Sequence, residues 1–162
     1  LFYSTLMEVL GGKRVIGVDI YIPDDLKERI YSHGNLSKRI DLITGSSTEE
    51  DSVNKINKII GDSKNVMVIL DSNHSHEHVL KELNIYEKFV RNGNYLICGN
   101  TIIELIPKQN HRKRPWGPGD NPMTAVDIFL MKNKRFISDE SIDNRLLLSC
   151  NYKGFLKNIS NS

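Results

Sequence analysis

Val66-Met67-Val68-Ile69-Leu70-Asp71-Ser72-Asn73-His74-Ser75-His76-Glu77-His78 is the stretch that decides the fold. Five apolar residues run into an acid, a short polar turn and the start of a helix. An unbroken apolar run of this length reads as a strand buried on both faces, as in a parallel sheet. In open α/β sheets ligands sit outside the carboxyl ends of such strands. Asp71 falls at that end, and three histidines follow it within seven residues.

The pattern recurs on both sides. Upstream, Val15-Ile16-Gly17-Val18-Asp19 is a second short buried strand ending in an acid. Arg39–Thr44 is a third, followed by Gly45-Ser46-Ser47-Thr48. Ser47 or Thr48 can cap a helix whose first turn is Glu49-Glu50-Asp51, acids at the positive end of the helix dipole. Val53, Ile56, Ile59 and Ile60 give that helix its apolar face, and Gly61 ends it. Residues 1–10 are spaced as a helix stopped by Gly11-Gly12, and Pro23-Asp24-Asp25 opens another helix reaching Tyr31.

Downstream, Val79, Leu80, Leu83, Tyr86, Phe89 and Val90 form a helical stripe. Asn92-Gly93-Asn94 turns into a strand at Tyr95–Cys98. Residues 104–122 hold four of the five prolines, a long loop of the kind that is often functional. Ala125, Val126, Phe129 and Leu130 mark a further helix. Arg135–Ile137 and Leu146–Leu148 read as the last two strands, a hairpin at one edge, and the tail from Asn158 reads as frayed. Strands alternating with helices predict an α/β fold: a mostly parallel sheet flanked by helices, with an antiparallel final strand.

Composition narrows the class. The 162 residues suffice for one domain with a core, over 1–162. A net charge of +2 argues against binding polyanions by bulk charge. The basic run His111–Arg114 has no interleaved stacking aromatics, so no nucleic acid is expected. Cys98 and Cys150 make no disulfide framework, which places the protein in a reducing, cytoplasmic setting. No apolar run approaches the about 20 residues that span a bilayer.

The polar residues gather at strand ends. Asp19 can accept hydrogen bonds from ribose hydroxyls, or can merely cap the next helix. The candidate cofactor-binding set is Asp19, Gly45, Ser46 and Asp71. Asp71 can ligate a hard cation, with Asn100 adding an amide oxygen; the alternative for both is loop stabilisation. His74 is the candidate base, since imidazole abstracts protons near neutral pH. His74 and His78 share a helix face if the helix begins early, so a metal-dependent hydrolase using them with Asp71 is a more distant reading. Trp116 stands in Arg114-Pro115-Trp116-Gly117-Pro118-Gly119-Asp120-Asn121-Pro122, where a stiff loop makes it a substrate wall; His76 is the second candidate for substrate contact.

Val15–Ile20, Leu70–Leu80, Arg114–Pro122 and Ile142–Leu147 together resemble the cephalosporin hydroxylase / rhamnosyl O-methyltransferase family, class I S-adenosylmethionine-dependent methyltransferase-like proteins. The resemblance covers nearly the whole chain, in order. It implies a Rossmann-like sheet, S-adenosylmethionine held through Asp19, Mg2+ on Asp71, a base at His74, a hydroxylated small-molecule or sugar acceptor, and self-association into a homo-oligomer. Two departures bear on function. The family places two adjacent acids where this chain has Gly99 and Asn100, so a cation loses most of its electrostatic hold. The family also places a strand and a Gly-rich turn before the helix at 1–10. Relative to it the chain is N-terminally incomplete, and absence of that strand is expected to weaken cofactor binding and leave neighbouring strands with unpaired backbone groups. Two functions follow: a metal-assisted O-methyltransferase, or a catalytically impaired relative with a binding or scaffolding role.

Overall fold

The structure, a computed structural model, describes residues 1–108, 111 and 113–160. Arg112 of the basic run and the last two residues of the tail lie outside the described residues. The chain forms two compact units, Leu1–Gly61 and Asp62–Ser162, and each is described by itself.

In the first unit, helix α1 (Phe2–Leu10) ends as its glycine demands: Gly11 takes φ 73° and its N–H returns to the Met7 carbonyl. Strands β1 (Val15–Asp19) and β2 (Ile40–Thr44) pair in parallel, with Val15 opposite Ile40 and Asp19 opposite Thr44. A two-pronged bond from Arg14 to Asp41, at 2.6 and 2.7 Å, ties the strands where they enter the sheet. That bond raises the Arg14 pKa, through the hydrogen bond first and the charge of Asp41 second. Helix α2 (Asp24–Tyr31) starts after Pro23. Helix α3 (Glu50–Ile60) buries Ser52, Val53 and Ile56. Its N-cap is Glu49 rather than Ser47 or Thr48, because Ser46 holds the preceding turn through the Thr48 N–H. β1 is only half-buried, not enclosed on both faces.

The second unit is built on a four-stranded sheet in the order β3-β4-β6-β5. β3 (Val68–Leu70) and β4 (Tyr95–Cys98) run parallel, joined through helix α4 (His76–Tyr86). β6 (Phe155–Asn158) is antiparallel to both β4 and β5 (Phe136–Ser138). The mixed α/β architecture with a reversed final strand is therefore present. Helix α5 (Pro122–Lys132) packs on α4. Leu83, Val90, Leu96, Ala125, Val126, Phe129 and Leu156 are almost wholly buried. Among the described residues no helix is long and apolar enough to cross a membrane.

Four local expectations are corrected. The 66–70 run is not buried on both faces: Leu70 is buried, whereas Met67 and Ile69 are exposed, since one face of the sheet is packed more deeply than the other. Leu146–Leu148 is no strand. Helix α6 (Glu140–Leu146), capped by the Asp139 carboxylate, runs into it, and Leu147 sits 95% exposed at φ 61°. The final strand lies at Phe155–Asn158, inserted between β4 and β5, and Cys150 sits in the turn before it. The tail is not frayed at Asn158, which is fully buried: its amide donates to the Val90 carbonyl (2.6 Å) and its oxygen accepts from Ser160 (2.8 Å).

Asn158→Ala leaves the Val90 carbonyl unpaired in a buried place. The expected cost is about 1–3 kcal/mol, a fall in Tm of about 2–4 °C per kcal/mol for a chain of this size. Thermal unfolding by circular dichroism measures it, and an unchanged Tm would show that the C-terminal strand is not anchored this way.

Candidate functional site

β3 and β4 end in register, Leu70 opposite Cys98, so the next residues of each leave the sheet side by side. The Gly99 N–H donates to the Leu70 carbonyl (2.8 Å). A Cβ on Gly99 would stand 2.9 Å from that oxygen and 3.1 Å from Asp71 Oδ1, so the Asp71 carboxylate needs glycine there. Asn100 follows at φ 56°, a left-handed conformation that asparagine tolerates better than most residues. Its backbone N–H is held by Asn151 Oδ1 (3.1 Å).

This backbone aims the Asn100 amide at two acceptors. Asn100 Nδ2 lies 2.6 Å from Asp71 Oδ1 and 2.7 Å from His74 Nε2. An ionised carboxylate only accepts, so the amide end facing Asp71 is the NH2 group. The same nitrogen faces His74, so Nε2 accepts and the neutral ring carries its proton on Nδ1. That Nδ1 is buried and has no hydrogen-bond partner among the described residues. Asp71 Oδ1 and His74 Nε2 are themselves 3.6 Å apart.

Trp116 covers the histidine: the two rings stack at 5.1 Å with 22° between planes, and the Arg114 guanidinium lies 5.3 Å from the indole centroid. The loop that holds Trp116 is built from its own sequence. Gly117 and Asp120 exchange backbone bonds at 2.9 and 3.0 Å, with Gly119 at φ 88° in the turn. Asn121 caps α5 in a capping box with Thr124, and Pro122 occupies the first helical position, where its missing N–H costs nothing. Asp120 Oδ1 accepts from the His76 N–H (2.7 Å) at the start of α4. Glu104 accepts from the Gly119 N–H (2.7 Å) and the Asn121 amide, and these bonds, the backbone one first, hold its carboxyl below the usual range.

The remaining candidates separate. His76 bonds Thr124 through Nδ1 (2.8 Å), joining α4 to α5. His74 lies ahead of α4, so it shares no helix face with His78. His78 approaches Glu82 (3.5 Å), a carboxylate 2% exposed that also accepts from Ser72 Oγ (2.8 Å). The Tyr86 hydroxyl below is pushed up to about 12 by burial and then by Glu82. The Cys98 thiol, also about 12 through burial, is inert. In the first unit Asp19 stands exposed at the end of β1 and accepts from the Tyr21 N–H (3.0 Å). Ile20 and Tyr21 beside it are 77% and 72% exposed. Gly45 bonds the Asp19 carbonyl (2.9 Å), and Ser46 serves its own turn.

A pocket of about 370 Å³ opens on the His74 cluster. Ser72, His74 and Asn100 give it polar lining, and Ile102, Ile106 and Trp116 are among its apolar walls. Sequence reasoning did not assign Ser72, Glu104 or Asn121 to the site. For Asn121 a signal was present: Asn-Pro-x-Thr is an N-cap followed by a helix start.

The resemblance implies Mg2+ at Asp71, and the donor set does not fit it. Of the three converging groups only Asp71 carries charge, the nearest group to its Oδ1 is an N–H, and imidazole suits softer metals. Among the described residues no group of three or more His, Cys, Asp or Glu is placed to hold a metal.

A model of the rhamnosyl O-methyltransferase/CmcI family matches residues 1–159, and the chain belongs to that family. No curated protein matches the sequence. Among solved structures, the MycE methyltransferase from the mycinamycin biosynthetic pathway in complex with Mg and SAH is similar, with a TM-score of 0.52 and 17% identity over 92% of this chain and 38% of that chain. A second MycE structure, with Mg, SAH and mycinamycin VI, gives a TM-score of 0.49 and 19% identity over 76% of this chain and 32% of that one. The first likeness shows the fold, and the chain spans 32–38% of the length of those two chains.

Asn100→Asp sets a second carboxylate against Asp71. Without metal the like charges lower Tm. Saturating Mg2+ at about 100 times its dissociation constant raises the variant's Tm by about 5 °C or more and leaves the parent chain unmoved. Differential scanning fluorimetry reads both, and equal stabilisation of the parent by Mg2+ would contradict the donor-set argument.

Proposed function

We propose that this chain works as an S-adenosylmethionine-dependent O-methyltransferase on a hydroxylated small molecule, with the acceptor in the pocket beside His74. The observation that supports it is the pair of bonds from Asn100 Nδ2 to His74 Nε2 and Asp71 Oδ1. It turns a basic nitrogen and an N–H donor toward one point next to the pocket.

A hydroxyl inserted between Asn100 and His74 meets both requirements of proton removal. Its hydrogen is donated to His74 Nε2, and its oxygen accepts from the freed amide N–H. The donor then steadies the negative charge that grows on oxygen. Trp116, stacked on the imidazole, shields this point from water and gives the acceptor a flat wall. Asp71 keeps the other amide hydrogen and so holds Asn100 in place.

The first unit fits a nucleoside. The exposed Asp19 carboxylate can accept from ribose hydroxyls, and Ile20 and Tyr21 offer apolar surface to a base. Gly45 and Ser46 stand next to it. S-adenosylmethionine, when bound, supplies the methyl group. The proton released when the acceptor oxygen is methylated would remain on His74 Nε2.

A second reading is an impaired relative that binds without turnover. It is favoured by the same amide, which occupies both Asp71 and His74. Calorimetric titration of S-adenosylmethionine, followed by a methyl-transfer assay over hydroxylated acceptors, separates the two. The active reading expects binding that Asp19→Ala weakens by about 10-fold or more, the scale of a hydrogen bond to a charged group. It also expects turnover that His74→Ala lowers by about 10²–10⁴ with cofactor affinity unchanged. Binding without turnover supports the impaired reading, and no binding at all contradicts both.

A further inference from the structure

We infer that the acceptor is an organic carboxylate: a hydroxylated molecule with an apolar body, its anionic group met by Lys108 and Arg114. The inference rests on the acceptor-pocket reading above and narrows it.

The charge of the pocket lining carries it. Among the described residues Lys108 and Arg114 both line the pocket, and no carboxylate does. The acids around it already have partners: Glu104 accepts from Gly119 and Asn121, Asp71 from Asn100, Asp120 from the His76 N–H, and Glu82 from Ser72. Among the described residues neither Lys108 nor Arg114 has a carboxylate within salt-bridge distance. Two unpaired cations on one small pocket attract an anion from solution.

Arg114 is also held in a way that suits a carboxylate. Its guanidinium lies over the Trp116 ring, which steadies the plane while leaving its N–H edge for a bidentate partner. The rest of the lining states the body between anion and hydroxyl. Ile102, Ile103, Ile106, Pro107 and Pro118 offer carbon surface and little hydrogen bonding. A volume of about 370 Å³ is at the small end of ligand pockets. Ser72, His74 and Asn100 supply the polar point where the reacting hydroxyl sits.

Trp116 is the single tryptophan, so its fluorescence reports occupancy of the pocket directly. The probes are p-hydroxyphenylpropionate and its primary carboxamide, equal in shape and differing in charge. The carboxylate is expected to quench Trp116 at about 10- to 100-fold lower concentration, the scale of charge-assisted bonds. The difference should shrink as salt rises and vanish in the Lys108→Gln/Arg114→Gln double variant. Arg114→Lys, which keeps the charge and loses the fork, should restore part of it. Equal quenching by both probes overturns the anion inference and leaves the acceptor pocket standing. Quenching by neither overturns the pocket reading together with it.

Discussion

One amide group sits where three loops meet, and the chemistry of the second unit depends on it. Asn100 gives one hydrogen to Asp71 and the other to His74. Neither bond is possible without the parallel register of β3 and β4, the bare Cα of Gly99, and a left-handed backbone at Asn100 pinned by Asn151. A neutral donor replaces what a cation would otherwise do for an acid and an imidazole. It orders both, and of its two bonds the one to the charged Asp71 carboxylate is the charge-assisted one. It also sets the histidine's tautomer, because the amide nitrogen can only donate.

The loop over this cluster does several jobs with few residues. Asp120 anchors the start of α4, Asn121 the start of α5, and Glu104 clamps the turn between them. Trp116 is thereby fixed relative to both helices and stacks on His74. The ring blocks one face of the imidazole, and Nδ1 is buried without a partner among the described residues. His76, in sequence one more histidine of a cluster, is a tie between α4 and α5 through Thr124. The three histidines therefore have three different environments despite their alternate spacing in the sequence.

What could be read from the sequence follows the range of the forces involved. β1, β2 and β4 were legible because apolar runs bounded by turn residues are local signals, and the order of elements gave the α/β class. The neighbouring positions of Asp71 and Asn100 were legible because parallel strand ends meet at one edge. β6 was not. Its Phe155-Leu156-Lys157-Asn158 run is less apolar than Leu146–Leu148, and it is a strand because β4 and β5 offer edges to it. Asn158 reads as a polar tail until its carbonyl and amide partners at Gly93 and Val90 are known. The direction of the Asn100 amide was equally hidden. It depends on contacts 26 and 29 residues away, and only the acceptor-only character of Asp71 decides which end faces the cluster.

The most direct test is the tautomer of His74, read by long-range ¹H–¹⁵N correlation on the uniformly labelled protein at a pH where the ring is neutral. The bridge requires the proton on Nδ1 and an unprotonated, hydrogen-bond-accepting Nε2, and Asn100→Ala should release that preference. A proton on Nε2 in the parent chain would mean that Asn100 turns its oxygen to the imidazole, and the shared-amide account of this site would be wrong.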